Sequence, residues 1–161
     1  MFKTLKHIAR RLNYMMFLGS LALIAQSCKF NSEEKNTAGI TKDDAGYEAQ
    51  TELEESMQRG GEIYDDFCVT CHRPNGEGIA KSFPPLAGSD YLLNNRKLSI
   101  RAVKYGQRGE IVVNGETYNS VMAAQGLDDD EVADVMNYIM NSWGNKQDKM
   151  VRAEEVTSVT K

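Results

Sequence analysis

The sequence predicts a small, mainly α-helical domain with one short β-hairpin, arranged around a single attached group. Three observations carry that expectation. Apolar residues recur at spacings of three and four over 51–67 and again over 128–143, the pattern of two amphipathic helices. Between them, Asn114-Gly115 is flanked by Ile111-Val112-Val113 and Glu116-Thr117-Tyr118, the signature of a two-residue hairpin turn. The first helix runs straight into Cys68-Val69-Thr70-Cys71-His72, a C-x-x-C-H pentapeptide.

Two thiols separated by two residues and followed at once by an imidazole suit haem. The thiols add across its two vinyl groups, while the imidazole, held by the same turn, reaches the iron. A C-x-x-C can also be a redox dithiol or half of a zinc site, but the first wants a surrounding βαβ pattern and the second four Cys or His ligands. Neither context is present, and beyond His72 the chain has no Cys and no His. One covalent haem c is therefore expected, with Cys68 and Cys71 as its thioethers and His72 as an axial ligand.

The 161 residues are 41% hydrophobic and 26% charged, which fits one small domain with flanking segments rather than a multidomain enzyme. Residues 1–27 read as an export signal of lipoprotein type, with Lys3, Lys6, Arg10 and Arg11 at the start and an apolar run over 15–25. An uncleaved signal anchor is the alternative, although the apolar run is short for a membrane span. Ala25-Gln26-Ser27-Cys28 resembles a bacterial lipobox, with Ala25 where Leu is usual, and the resemblance implies that Cys28 carries a lipid anchor. Lipidation would also account for a third cysteine in an oxidising compartment; cleavage elsewhere would account for it too. Removing residues 1–27 takes away four basic and no acidic side chains, moving the net charge from −4 to −8. An acidic exported chain disfavours nucleic acid and suits partners that present positive charge.

Residues 28–50 are polar and read as a flexible tether, 51–145 as the domain, and 146–161 as a polar tail. In the domain, Thr51 and Glu54 stand as a capping box for the first helix. Gly60 and Gly61 weaken its interior and mark either a close helix contact or a break. Asn75-Gly76-Glu77-Gly78 is a plain turn. A short helix is expected over 98–105, with Ser99 and Arg101 outward and Ile100 and Val103 inward. Arg96, Lys97, Arg101, Lys104 and Arg108 around it form either a docking face or a solvated surface. The last helix has Asp128 as N-cap, Glu131 at the capping-box position, and Val132, Val135, Met136, Ile139 and Met140 on one face; Gly144 ends it. Trp143 is expected in the core or as a lid.

Gly60, Tyr64, Cys68, Cys71 and His72, with Tyr138 on a second helix near the C-terminus, resemble the class I cytochromes c over about 53–144. The resemblance implies a cytochrome c-like fold: N- and C-terminal helices crossing around one covalent haem, with the hairpin before an axial Met loop. It also implies that the 82–89 segment backs the haem, that the carbonyl of Pro84 or Pro85 accepts the Nδ1 proton of His72, with Pro85 preferred, and that Leu86 packs on the ring.

His7 falls in the signal, so a second imidazole is not expected at the iron. Met122 alone among the methionines after the signal lies in a loop between the haem motif and the last helix, where the family places its thioether ligand. Ala123 follows it, where the family commonly has Pro, which leaves the loop less restrained. His/Met ligation fills both axial positions and raises the reduction potential relative to a bis-imidazole site. The expectation is an electron carrier, not an enzyme, held by a lipid anchor on the periplasmic side of a membrane. By resemblance its partners would be terminal oxidases, copper-containing nitrite or nitrous oxide reductases, or quinoprotein dehydrogenases. The alternatives are a haem sensor binding gas or peroxide, and a fixed cytochrome subunit of a larger oxidoreductase.

Overall fold

A computed structural model of the chain describes residues 42–161. The expected export signal, Cys28 and most of the expected tether lie outside them. Helix α1 (Lys42–Phe67) ends in the motif helix α2 (Val69–His72); α3 (Asp90–Asn94) and α4 (Arg96–Tyr105) follow. The antiparallel strands β1 (Ile111–Val113) and β2 (Glu116–Tyr118) come next, then α5 (Asp129–Asn141) and α6 (Ala153–Ser158).

Helix α1 starts nine residues before Thr51, so Thr51 is no cap. It sits inside the helix, where its hydroxyl donates to the Tyr47 carbonyl at 3.0 Å. The stretch reads as tether because it lacks an apolar face, yet Ala, Glu and Gln are good helix formers and two early aspartates favour the positive end of the helix dipole. The later signals match the structure. Asn114 and Gly115 have φ of 50° and 82°, as the hairpin turn requires, and the register pairs Ile111 with Tyr118. Both halves of the Asp128/Glu131 capping box form, each at 2.9 Å.

Helices α1 and α5 cross at Gly60, where a Cβ would fall on the Asp134 carbonyl; only glycine allows this approach. Tyr64, one turn on, is fully buried and packs against Tyr138 and Trp143 with ring centroids 5.4 and 5.0 Å away. On the other side of the crossing, Asp134 accepts from the Ser56 hydroxyl at 2.6 Å and from Arg59 at 2.6 and 2.9 Å, so its partly buried charge is fully paired.

Residues 146–161 are not a free polar tail. Val151, Val156 and Val159 are buried in the same core as Tyr64 and Met136. Asn137 grips Val151 by donating to its carbonyl and accepting its N–H, at 2.8 and 2.7 Å. Asn145 likewise donates to the Leu86 and Ile139 carbonyls and accepts from Gly88 N–H. Three apolar residues scattered among charged ones leave no periodic signal, which is why the composition reads as tail. Among the described residues, no helix is long and apolar enough to cross a membrane.

Candidate haem-binding site

The motif is wound by its own backbone. Cys68 N–H donates to the Tyr64 carbonyl at 2.9 Å, and His72 N–H to the Cys68 carbonyl at 2.9 Å, which continues α1 into α2 and puts both thiols and the imidazole on one tight turn. Arg73 stops it with φ 68°, a left-handed conformation disfavoured for a side chain of this size. The Tyr64 hydroxyl, donating to the Arg73 carbonyl at 2.6 Å, holds that residue in place.

His72 is 8% exposed, and its Nδ1–H donates to the Pro84 carbonyl at 3.0 Å. A carbonyl can only accept, so the proton sits on Nδ1 and the Nε2 lone pair is left for a metal. Burial lowers the imidazole pKa, against the upward pull of the Pro84 bond, and favours the neutral ring. The acceptor is thus Pro84 and not the expected Pro85. The reason lies on either side: Ile79 and Phe83 exchange two backbone bonds at 2.8 Å, and Leu86 and Ala87 N–H both donate to the Gly76 carbonyl. These anchors leave Pro84 facing the ring, while Pro85 and Leu86 line the adjacent cavity.

That cavity holds about 450 Å³ and is lined by Cys68, Cys71, His72 and Met122. Its remaining walls are largely apolar, with Leu86, Val103, Ile111, Val135 and Ile139 among them. No disulfide joins Cys68 and Cys71, and before attachment burial, with Cys71 beside it, pushes the Cys68 thiol up to about 11. Met136 and Met140 are buried in the core away from the cavity, and Met150 lines a separate groove. Among the described methionines, Met122 alone shares the cavity with His72.

Three residues of the site were not assigned to it from sequence. Gln107 exchanges two backbone bonds with Met122, at 2.9 and 3.0 Å. Gly106, at φ 83°, lies against the Met122 carbonyl, which a Cβ would approach to 2.6 Å. Ser99, expected outward, is 5% exposed and lines the cavity; its hydroxyl has no protein partner. Ser99, Ala102 and Val103 fall at i, i+3 and i+4, so that spacing could have placed Ser99 inward had α4 been known to have covered faces on two sides. Part of the basic cluster is structural, since Arg96 and Lys104 are paired with Glu155 and Asp129 at 2.7 Å each.

The donor set fits haem c. Two thiols at the attachment spacing, a neutral imidazole with Nε2 free, a soft thioether and an apolar enclosure suit a flat macrocycle bearing iron, and Ser99 offers a hydroxyl to whatever occupies the space.

Comparison with known proteins agrees. The cytochrome c family model matches residues 57–143. The chain is 42% identical over 106 residues to cytochrome c-552 of Thermus thermophilus, covering 60% of this chain and 80% of that protein. It is 35% identical over 104 residues to the cytochrome c subunit of a quinone alcohol dehydrogenase from Gluconacetobacter polyoxogenes, and 30% identical over 140 residues to the gluconate 2-dehydrogenase cytochrome c subunit of Pantoea cypripedii. Those matches cover 62% and 76% of this chain but only 22% and 28% of the two subunits. A crossed-helix domain enclosing an apolar cavity at a C-x-x-C-H turn is a haem-carrying electron-transfer domain. This chain belongs to the cytochrome c family, as a class I monohaem member whose cofactor is covalent haem c.

Proposed function

We propose that the chain carries single electrons between respiratory redox partners on the periplasmic side of a membrane, with Cys68 and Cys71 as the haem thioethers and His72 and Met122 as axial ligands. The observation that carries this reading is the meeting of Met122 with His72 and both thiols in one cavity, while Met136 and Met140 pack elsewhere. Bound haem c supplies a one-electron Fe(III)/Fe(II) couple. His72, fixed by Pro84, presents a single ring nitrogen in one orientation. Met122 would offer the iron a neutral, soft sulfur that favours the reduced state, and a metal held by both His72 and Met122 would have no position left for a substrate. The apolar walls keep water away and so limit the reorganisation that accompanies a change of charge. Val121, 56% exposed beside Met122, leaves an apolar rim at the cavity mouth where a transient partner can approach.

The acidic chain after residue 27 suits partners with basic docking faces, and Cys28 is proposed as the lipid anchor that keeps the domain near them. Quinoprotein dehydrogenases, terminal oxidases and copper-containing nitrite or nitrous oxide reductases are the proposed partners. The dehydrogenase-subunit relatives support a second reading, in which the chain is a fixed subunit of such a complex. Potentiometric titration of the haem-loaded protein tests carriage: a reversible one-electron transition without peroxide turnover is expected, and steady peroxide consumption by the isolated protein would contradict it. Gentle detergent extraction separates the two readings, because a fixed subunit copurifies with its complex in constant ratio.

A further inference from the structure

Ala123 gives the chain after Met122 no proline restraint, and the neighbouring residues Asn119, Ser120, Val121, Ala123 and Ala124 are all exposed. A segment with so few buried contacts opens easily unless something outside it holds it. The two residues that touch Met122 through backbone, Gly106 and Gln107, directly follow α4. The last two residues of α4 are themselves bound to the chain's C-terminal end. Lys104 Nζ donates to the Val156 carbonyl at 3.0 Å, and the Tyr105 hydroxyl to the Val159 carbonyl at 3.1 Å. At the other end of α4, the Arg96 guanidinium pairs with both Glu155 oxygens at 2.7 and 2.8 Å and donates to the Lys149 and Met150 carbonyls. Val156 and Val159, 0% and 2% exposed, fix the other side of these bonds in the core.

We propose that residues 149–159 are a strap that positions the sixth ligand. They clamp α4 at both ends, and α4 passes that restraint through Gly106 and Gln107 to the Met122 backbone, doing the work that a proline after the ligand would otherwise do. Lys104 and Tyr105 are positioning residues: they touch neither the cavity's contents nor Met122. The inference rests on reading Met122 as the ligand.

The test uses the full haem-loaded chain. Imidazole is titrated into the oxidised protein, the sulfur-to-iron charge-transfer band is followed, and thermal unfolding is recorded beside them. Tyr105→Phe, which removes one hydroxyl, and the double variant Lys104→Met with Tyr105→Phe are compared with Arg59→Ala. The last breaks the Arg59 pair with Asp134, at 2.6 and 2.9 Å, between α1 and α5 and outside the strap. The double variant is expected to bind imidazole about tenfold more tightly and to lose charge-transfer intensity, because apparent affinity follows the fraction of molecules with an open site. Tyr105→Phe moves the same way by less, Lys104→Arg on the Tyr105→Phe background restores the single-variant value, and Arg59→Ala leaves imidazole affinity unchanged. Unchanged imidazole affinity and band in both strap variants, with Met122→Ala opening the site, overturns the strap. Imidazole affinity in the unmutated protein equal to that of Met122→Ala overturns the ligand assignment itself, and the strap's role with it.

Discussion

A single hydrogen bond decides what His72 can be. With Nδ1–H committed to the Pro84 carbonyl, the ring has one orientation and one free nitrogen, and the C-x-x-C-H spacing acquires a direction as well as a ligand. The spacing identified the chemistry from sequence alone, since few other uses want two thiols and an imidazole in five residues. It did not identify the acceptor, because choosing between adjacent prolines depends on backbone anchors at Gly76 and Ile79 that no local pattern encodes. Tyr64 poses the same kind of question. Its place on the crossing helix was legible from the family resemblance, but its hydroxyl bond to Arg73, which secures the strained end of the motif, was not. Tyr64→Phe leaves that carbonyl without its donor and is expected to cost about 1–2 kcal/mol in urea unfolding, with the haem spectrum retained.

Elements were legible where they announce their own ends. The α5 cap and the hairpin turn are short-range features, and both lie where the sequence puts them. The start of α1 and the fate of the C-terminal residues depend on partners far along the chain. Arg152 reaches Glu52 across 100 residues, and Asn137 holds Val151, so a segment that composition marks as tail becomes part of the core. Asn137→Ala leaves the Val151 N–H and carbonyl buried without partners, and we expect about 2–3 kcal/mol of destabilisation with amide exchange at Val151 accelerated first. At the helix crossing the constraint is steric. Gly60→Ala sets a methyl against the Asp134 carbonyl, and forcing α1 and α5 apart is expected to cost about 3 kcal/mol by the same assay.

For the molecule as a whole, charge joins distant elements and makes stability depend on pH. The Arg96 guanidinium holds Glu155 below its ordinary pKa, as Lys104 and then Thr157 do for Asp129. A carboxylate whose folded pKa is depressed contributes stability that is fully present above its unfolded value, about 4.3 for Glu, and is lost as the pH falls through its folded value. Thermal unfolding of the unmutated protein and Glu155→Gln should therefore differ most near pH 7 and converge in acid, once the pH has fallen through the folded value; an equal difference at both ends would show that Glu155 does not contribute through its charge. The Glu155 pair ties the C-terminal segment to α4, while Asp129 ties α5 to α4 through Lys104 and to the C-terminal segment through Thr157, so acid should loosen that segment before it melts the α1/α5 crossing.

The central claim is that His72 and Met122 close the iron from both sides, and carbon monoxide tests it most directly. Spectra of the reduced, haem-loaded protein should be unchanged by carbon monoxide, whereas Met122→Ala should bind it and shift to a carbonyl spectrum. Ready carbon monoxide binding by the unmutated protein would contradict a closed site and, with it, the electron-carrier mechanism built on that site.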